Sequence, residues 1–416
     1  MVTILAIKGG AKTRNKPFNT WPDFKEEYLD KIVKMIKGKV LWRGLEIPKF
    51  WDNKSAINIS EEFEQLFSNH IKSKYVFSLN SGSTALIIAC KALRLRKEDE
   101  VIVSPYTYFA SASSIKEAGA TPVFVDICSD TLNIAIKSIE QKITEKTKAL
   151  MIVHFGGIPV DMEPICQISR KYNLAIIEDC AHVINAKWNS KNVGTIGTVG
   201  CFSFQGTKLI TAGEGGAIAC DDRELANYMF ALHNGGRIDN SPYRHELLGG
   251  NYRISEIQSA LLMLGWESFF EQERIRKINA EYFYKKISEI DGITIIDNNN
   301  PKIERNYYII AIRYNHLHFE GLTKKRFILA LNAEGIPCSA GYDKGLYKNP
   351  LFSQNYSGDS EYDNIYPETE KACNEIIWFP HHLFLGKKDD VDDIINAIHK
   401  IKENVRQILP KKRTAK

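Results

Sequence analysis

The chain has 416 residues, 44% of them hydrophobic, which is enough for a large buried core and predicts two unequal domains. Its 55 basic and 50 acidic residues leave a net charge of +5, too small for this length to indicate a nucleic-acid or membrane partner. No apolar run is long enough for a membrane helix, and Lys8 interrupts the N-terminal apolar stretch too early for a signal peptide. We therefore expect a soluble, cytoplasmic protein. The eight cysteines form no CxxC pair and no ligand-like cluster with histidine, so we expect reduced thiols and no metal site.

From about residue 60 to residue 220, helix-like segments alternate with short runs of β-forming residues. The runs are EVIVSP, ATPVFVD, KALMIVHF, LAIIED and VGCFSF. Most are apolar at consecutive positions, as is required of strands that helices cover on both faces. This pattern predicts an α/β fold with a mainly parallel sheet.

The last third of the chain has a different pattern. Residues 254–290 are rich in helix formers, with Gly265 as a weak point, and predict a long helix or a bent pair. Two strand-like runs and two further helices then indicate a smaller α+β unit. We place the boundary so that a large α/β domain with an N-terminal arm spans residues 1–275 and a small domain spans residues 276–416. The segment from Ser353 to Asp363 is a candidate mobile loop.

A candidate anion-binding segment stands between the strand-like YVFSL and the helix-like ALIIACKAL. It contains Gly82, Ser83 and Thr84. A helix that begins with small hydroxyl residues presents free backbone N–H groups and a favourable dipole, so it can hold a phosphate. Ordinary helix capping explains the same residues, and this segment alone does not separate the two interpretations.

Two acids, Glu178 and Asp179, end the apolar run LAIIED, and His182 follows. The carboxyl ends of buried parallel strands are where α/β proteins usually bind ligands. The alternative is a strand-end acid that pairs with a local base.

A single lysine, Lys208, follows the predicted strand that carries Ser203, and it stands among small and apolar residues. An amine in such surroundings loses its proton more readily and becomes nucleophilic. The glycines of TAGEGGAI after it allow the backbone to turn sharply beside a bulky group. A surface lysine ahead of a hairpin is the alternative.

Seven motifs occur in order: SGSTAL, PYTYFASA, ATPVFVDI, IIEDCAH, FSFQGTK, TAGEGGAI and GGNYRISEIQ. Together they resemble the DegT/StrS-type sugar aminotransferases, which are pyridoxal 5′-phosphate (PLP) enzymes of fold type I, and the resemblance runs from about residue 7 to about residue 405. It implies a mainly parallel sheet of the seven-stranded type in the large domain. It also implies PLP as the cofactor and transfer of an amino group from L-glutamate or L-glutamine to a keto group of a sugar.

The resemblance also implies roles for individual residues. Lys208 matches the Schiff-base lysine, Asp179 the acid that pairs with the pyridine nitrogen, and His182 a residue that contacts the ring substituents. Tyr108 matches an aromatic side chain stacked on the cofactor. The phosphate-binding positions are Gly82, Ser83, Thr84 and Ser203. Asn251 would reach the phosphate of the neighbouring subunit, which makes a homodimer the expected minimum assembly. Two positions depart from the family pattern: Asn185 stands where many relatives have glycine, and Ser83 where threonine is usual.

Further residues indicate which reaction the chain catalyses and which class of keto acceptor it uses. Relatives that dehydrate deoxysugars have histidine at the position of Lys208, so the lysine favours transamination over a PLP-dependent dehydratase. The intact Lys208 and Asp179, without an appended DNA-binding domain, also favour an enzyme over a PLP-binding regulatory protein. The segments LAIKGGAKTRNKPFNTWP, PCSAGYDKGLYKNPLF and IIWFPHHLFLG are more similar to members that act on inososes and other free cyclic ketones than to nucleotide-sugar members. Tyr342 is a candidate substrate contact, with a packed loop aromatic as the alternative.

Overall fold

A seven-stranded sheet forms the centre of the N-terminal part of the protein. The computed structural model describes residues 3–23, 26–37, 58–238, 243–353 and 365–410, so the loop predicted to begin at Ser353 lies outside them except for that first residue. The strands, in chain order, are β1 Tyr75–Leu79, β2 Glu100–Val103, β3 Thr121–Phe124, β4 Thr147–Val153, β5 Ala175–Cys180, β6 Lys187–Trp188, β7 Lys191–Asn192, β8 Val199–Ser203, β9 Gly216–Cys220, β10 Ile293–Ile295, β11 Ile303–Glu304, β12 Ile309–Tyr314 and β13 Ile376–Pro380.

The strand order in the large sheet is β1-β9-β8-β5-β4-β2-β3. Strands β3, β2, β4, β5 and β8 run parallel, and β9 is antiparallel to both β8 and β1. The predicted mainly parallel α/β sheet of fold type I is therefore confirmed.

Helices cover both faces of this sheet. The α-helices in the described part of the chain are α1 Glu26–Ile36, α2 Ile59–Ile71, α3 Gly82–Ala92, α4 Phe109–Glu117, α5 Met162–Tyr172, α6 Arg223–His233, α7 Glu256–Ile287, α8 Lys324–Ala333, α9 Pro367–Glu375 and α10 Lys388–Glu403. Within β4, Ala149 and Met151 pack in the core under α3, α4 and α6, whereas Leu150 and Ile152 pack against α5. Because alternate side chains enter two different cores, the strand has to be apolar at consecutive positions.

Helix α7 connects the two parts of the chain. It begins with a capping box at Ser255 and runs unbroken through residue 275, where we placed the domain boundary. Its Leu262 and Phe269 pack in the core of the large sheet, whereas Ala280 and Phe283 belong to the core of the C-terminal unit. The change of core thus occurs within one helix, and the division at residue 275 stays a prediction.

The N-terminal arm packs on the C-terminal unit, although we grouped it with residues 1–275. Leu5 lies in the C-terminal core, and the buried Arg14 pairs with Asp390 at 2.8 Å and with Asp393 at 2.7 Å. The core of this unit forms between the antiparallel sheet β10-β12-β13 and helices α7, α8 and α10. None of the helices in the described part of the chain is both long enough and apolar enough to cross a membrane.

Candidate active site

The carboxylate of Asp179 lies at the carboxyl end of β5, in the middle of the large sheet. It accepts hydrogen bonds from the Ser111 hydroxyl at 2.7 Å and from the Ala181 N–H at 3.1 Å. Burial raises the pKa of this carboxyl, and these donors offset the rise only in part. A cation placed against such a buried carboxylate would stabilise its charge. None of the described residues forms an ion pair with Asp179.

The neighbouring Glu178 is buried on the opposite side of the strand and is satisfied by the protein. Its oxygens accept from the N–H groups of Gly194, Ile196 and Gly197 and from Nε2 of His154 at 3.1 Å. Burial works to raise the Glu178 pKa, but His154 and the backbone donors hold it below its ordinary value. Glu178 therefore has a structural role.

His154, Glu178 and Cys180 bring potential metal-ligand atoms within 4.8 Å of one another, a cluster that the sequence spacing did not indicate. The His154 Nδ1 atom already accepts from the Val160 N–H, and both Glu178 oxygens are occupied. Burial raises the pKa of Cys180 well above its ordinary value, so its thiol keeps its proton. These groups form a hydrogen-bonded support for β5.

His182 faces the same cavity as Asp179. Its Nδ1 atom accepts from the Gly156 N–H at 3.2 Å. Burial, reinforced by the charge of Lys208, lowers the pKa of His182 well below its ordinary value. The ring is therefore neutral, and its proton is on Nε2, where it is free to be donated.

The N-terminus of α3 forms a narrow cradle against the end of β8. The N-cap Ser81 accepts from the Thr84 N–H at 3.1 Å. A Cβ on Gly82 would lie 2.7 Å from the Cβ of Ser203, so only glycine lets the strand end approach the helix this closely. Gly82, Ser83 and Ser203 line the cavity together with Ser81, whereas the Thr84 hydroxyl turns to Ser81 Oγ at 2.8 Å.

Lys208 lies on the wall of the same cavity, after the end of β8. Its Nζ is 3.2 Å from the hydroxyl of Tyr308 and 4.5 Å from the centre of that ring. Tyr308 immediately precedes β12 in the C-terminal unit. The cavity therefore lies where the two units of the chain meet.

The cavity has a volume of about 410 Å³ and is partly walled by aromatic side chains. Tyr108 lines it while remaining 58% exposed, which leaves a ring face for another planar group. Tyr342 also lines it and packs edge-on against Trp378, with ring centres 4.9 Å apart. Burial raises the pKa of Tyr342 well above its ordinary value, so its phenol keeps its proton.

Asn251 does not line this cavity of its own chain. It forms an isolated antiparallel bridge with Asn234, whose side-chain oxygen accepts from Arg253 at 3.0 Å. The next residue, Tyr252, accepts from the Asn80 N–H at 2.8 Å, so the segment is attached beside the α3 cradle. The exposed Asn251 side chain lies on an outer surface of the protein.

Asn185 adopts a left-handed backbone conformation with φ of 63°. Glycine is the usual residue for such a conformation and asparagine tolerates it, which explains why asparagine replaces the family's glycine without strain. Its side chain donates to Glu273 at 2.6 Å.

Several cavity residues were missed by the sequence analysis: Thr107, Ser111, Gln205, Thr207, Tyr308 and Trp378. Tyr308 stands in RNYYIIAIRY, which we interpreted only as a strand. Nothing in that run distinguishes a tyrosine that reaches Lys208 from one that enters the core.

The cavity fits PLP. It combines the Lys208 amine, which can form a covalent bond with the cofactor, with the buried Asp179, whose pKa is raised by burial. It also has a helix N-terminus at which Gly82 lets the end of β8 approach closely, and the exposed ring face of Tyr108. With a mainly parallel seven-stranded sheet beside a smaller C-terminal unit, these features define a PLP-dependent enzyme of fold type I.

Comparison with known proteins identifies the family. Residues 54–399 match the DegT/DnrJ/EryC1/StrS aminotransferase family. A Streptoalloteichus tenebrarius protein provisionally named L-glutamine:3-amino-2,3-dideoxy-scyllo-inosose aminotransferase is 31% identical over 97% of this chain and 99% of its own. GDP-perosamine synthase from Escherichia coli O157:H7 is 36% identical over 61% of this chain and 69% of its own. An aminotransferase from Psychrobacter cryohalolentis has a similar structure, with a TM-score of 0.83, 28% identity, and coverage of 94% of this chain and 100% of that one. This chain belongs to the DegT/DnrJ/EryC1/StrS family and is a PLP-dependent aminotransferase.

Proposed function

We propose that Lys208 bonds the cofactor and moves protons during transamination between an amino acid and a keto group on a sugar-like ring. The observation that carries this proposal is the single cavity that Lys208 shares with Asp179 and the α3 cradle. When bound there, PLP supplies an electron sink for carbanion formation. The Lys208 amine takes a proton from the donor carbon and returns one to the product as general base and acid.

The other site residues hold and orient the cofactor. Asp179 keeps a pyridine nitrogen protonated by pairing with its charge, and His182 donates its Nε2 proton to a ring substituent. The helix N-terminus at Gly82, Ser83 and Thr84 and the hydroxyls of Ser83 and Ser203 bind the phosphate. Thr84 contributes through Ser81, because its N–H and its hydroxyl both contact Ser81 Oγ. Tyr108 stacks on the ring.

L-glutamine or L-glutamate is the amino donor in this proposal, and a free cyclic keto-polyol is the acceptor. The relative from S. tenebrarius is named for L-glutamine and an inosose, whereas the E. coli relative is named for a GDP-linked sugar. Lys208 is the only lysine or arginine among the described residues that line the cavity. The adjoining pocket, with a volume of about 400 Å³ and walls that include Trp21 and His381, has none among its described lining residues. A nucleotide diphosphate would require such cations, so these walls favour an uncharged acceptor.

The visible absorption spectrum of the PLP-loaded protein tests donor and acceptor together. We expect excess L-glutamine or L-glutamate to replace the band of the lysine-bound cofactor with that of its amine form. Addition of a free inosose should then restore the first band, and a nucleotide-linked keto-sugar should not. A spectrum that neither donor changes would remove both donors from the proposal. Recovery with the nucleotide-linked ketone alone would reverse the assignment of the acceptor.

We also propose a homodimer in which Asn251 reaches the phosphate site of the neighbouring subunit. Its side chain is exposed and absent from the cavity of its own chain, although its backbone lies beside the α3 cradle. A two-fold axis would place Asn251 of each chain at the phosphate site of the other, so both active sites would be completed in the same way.

Mixed dimers provide the test of Asn251. Lys208→Ala and Asn251→Ala homodimers are each expected to lose most activity. If Asn251 acts across the interface, a dimer with one chain of each variant contains one complete site. Random mixing of the two variants should therefore recover about a quarter of the wild-type activity, because half of the dimers are mixed and each has one intact site. No recovery in mixtures shown to exchange subunits would place Asn251 in the site of its own chain or in no site.

A further inference from the structure

The phenol of Tyr308 is the hydrogen-bond partner that the described residues provide for the Lys208 amine. The Nζ-to-oxygen distance is 3.2 Å, across 100 residues of sequence. Lys208 follows strand β8 of the large sheet, and Tyr308 immediately precedes strand β12 of the C-terminal unit. The contact therefore exists only when the two units are packed together.

The neighbouring hydrogen bonds determine the direction in which the phenol donates its proton. The side-chain oxygen of Gln205 accepts from the Thr207 N–H at 2.9 Å and from the Thr207 hydroxyl at 2.8 Å. Because this amide oxygen only accepts, the Thr207 hydroxyl proton is already used there. The Thr207 oxygen lies 2.9 Å from the Tyr308 hydroxyl, so it accepts the phenol proton. The Tyr308 oxygen is left with its lone pairs for an N–H of Lys208.

The other titratable groups around this pair do not compete for the lysine. Burial, followed by the charge of Lys208, lowers the pKa of His182. Burial, followed by the charge of Arg276, lowers the pKa of His381, so both rings are neutral. His381 donates Nε2–H to the Thr207 carbonyl at 3.1 Å and so fixes that residue. Burial raises the pKa of Tyr342 and keeps it protonated. Two acids, Asp179 and Glu214, line the cavity with Lys208. Asp179 is engaged by Ser111 and Ala181, and neither acid forms a hydrogen bond or an ion pair with Lys208 in the described part of the chain.

We propose that Tyr308 is a positioning residue for Lys208, whose oxygen holds one N–H of the amine while the amine is not bonded to the cofactor. One fixed N–H leaves the nitrogen lone pair in a defined direction for taking the proton of the donor carbon. The oxygen acceptor at 3.2 Å and the ring face 4.5 Å from Nζ together hold the amine in one place. This inference rests on the proposed role of Lys208.

Tyr308→Phe removes the oxygen and keeps the ring. The first readout is the rate at which full-length protein depleted of PLP captures added PLP at pH 7, followed by visible absorption. Because Nζ loses the oxygen that orients it, we expect capture to slow by about 10-fold. We also expect the L-glutamine half-reaction to slow by about 10-fold or more, with the KM for L-glutamine within about twofold of wild type.

Tyr307→Phe is the matched control, because it makes the same change one residue earlier. Tyr307 packs in the C-terminal core, with its ring 4.4 Å from the guanidinium carbon of Arg305. We expect this variant to capture PLP at the wild-type rate. A thermal melt of each variant establishes that it is folded before the rates are compared.

Thr207→Val tests the direction of the phenol proton. Without the Thr207 oxygen, the phenol can turn its proton towards the lone pair of the amine, so we expect capture to slow, but by less than for Tyr308→Phe. Because Thr207 acts through Tyr308, the double variant should be no worse than Tyr308→Phe alone. Capture and half-reaction rates of Tyr308→Phe equal to those of wild type, or losses that multiply in the double variant, would overturn the proposal.

Lys208→Ala separates failure of this inference from failure of the proposed function. If that variant still forms the band of lysine-bound PLP, the assignment of Lys208 is wrong, and the proposed role of Tyr308 is then wrong as well. If Lys208→Ala abolishes the band while Tyr308→Phe behaves as wild type, only the inference about Tyr308 fails.

Discussion

Replacement of Lys208 with alanine is expected to slow the L-glutamine half-reaction by about 10⁴-fold or more. The amine lies on the wall of the cavity with Asp179 and is held by Tyr308, and no second lysine lines that cavity among the described residues. Loss of the side chain removes both the group that bonds the cofactor and the base that moves the proton. Stopped-flow absorption under single-turnover conditions measures the effect.

Two comparisons make the Lys208 result specific. Lys191→Ala removes an exposed lysine on β7 and should leave the rate unchanged. Small primary amines added to Lys208→Ala should restore part of the proton transfer, because they replace the missing base in the cavity. Turnover by Lys208→Ala at the parent rate, without added amine, would show that the catalytic assignment is wrong.

Asp179→Asn is expected to slow the half-reaction by about 10²- to 10³-fold without lowering the thermal stability of the cofactor-free protein. Burial raises the pKa of Asp179 in the folded chain. A group with a raised folded pKa contributes stability at pH values below its unfolded pKa, and this contribution is lost as the pH rises through the folded value. At pH 7, which is above the unfolded pKa, Asp179 therefore costs stability, and asparagine removes that cost. Activity and the thermal midpoint, both measured at pH 7, should consequently respond in opposite ways.

Glu178→Gln is the matched comparison, one residue earlier on the same strand. The pKa of Glu178 is lowered in the folded chain, so its ionised form contributes stability above its unfolded pKa that is lost as the pH falls through the folded value. A glutamine nitrogen would face backbone N–H donors, and we expect a loss of about 3–5 kcal/mol in the free energy of unfolding. If Asp179→Asn destabilised the cofactor-free protein as strongly as Glu178→Gln, Asp179 would be a structural acid instead of a functional one.

The sheet could be predicted from the sequence because its signal is local. Consecutive apolar positions in runs such as ALMIV reflect burial on both faces, and β4 shows that burial residue by residue. The positions of Asp179, Ser203 and Lys208 at or after strand ends were also predictable, since parallel strands place their carboxyl ends at one edge of the sheet. The roles of these residues stay predictions until the variants are measured.

Other features depended on the packing of distant segments. Period-two alternation places Glu178 and Asp179 on opposite sides of β5, but only the structure shows that Glu178 meets the loop at residues 194–197 while Asp179 meets the cavity. The attachment of the N-terminal arm to the C-terminal unit, through Arg14 and Asp390, has no local sequence signal either.

By itself the sequence determined the α/β class, the family, the cofactor and the segments of the large sheet that line the cavity, because these depend on local periodicity and on motifs a few residues long. Only the tertiary structure decided that Tyr308 contacts Lys208 while Tyr307 enters the C-terminal core. Two adjacent tyrosines have the same local properties. Their different surroundings arise when a strand of one unit packs against a loop of the other, a contact that spans 100 residues.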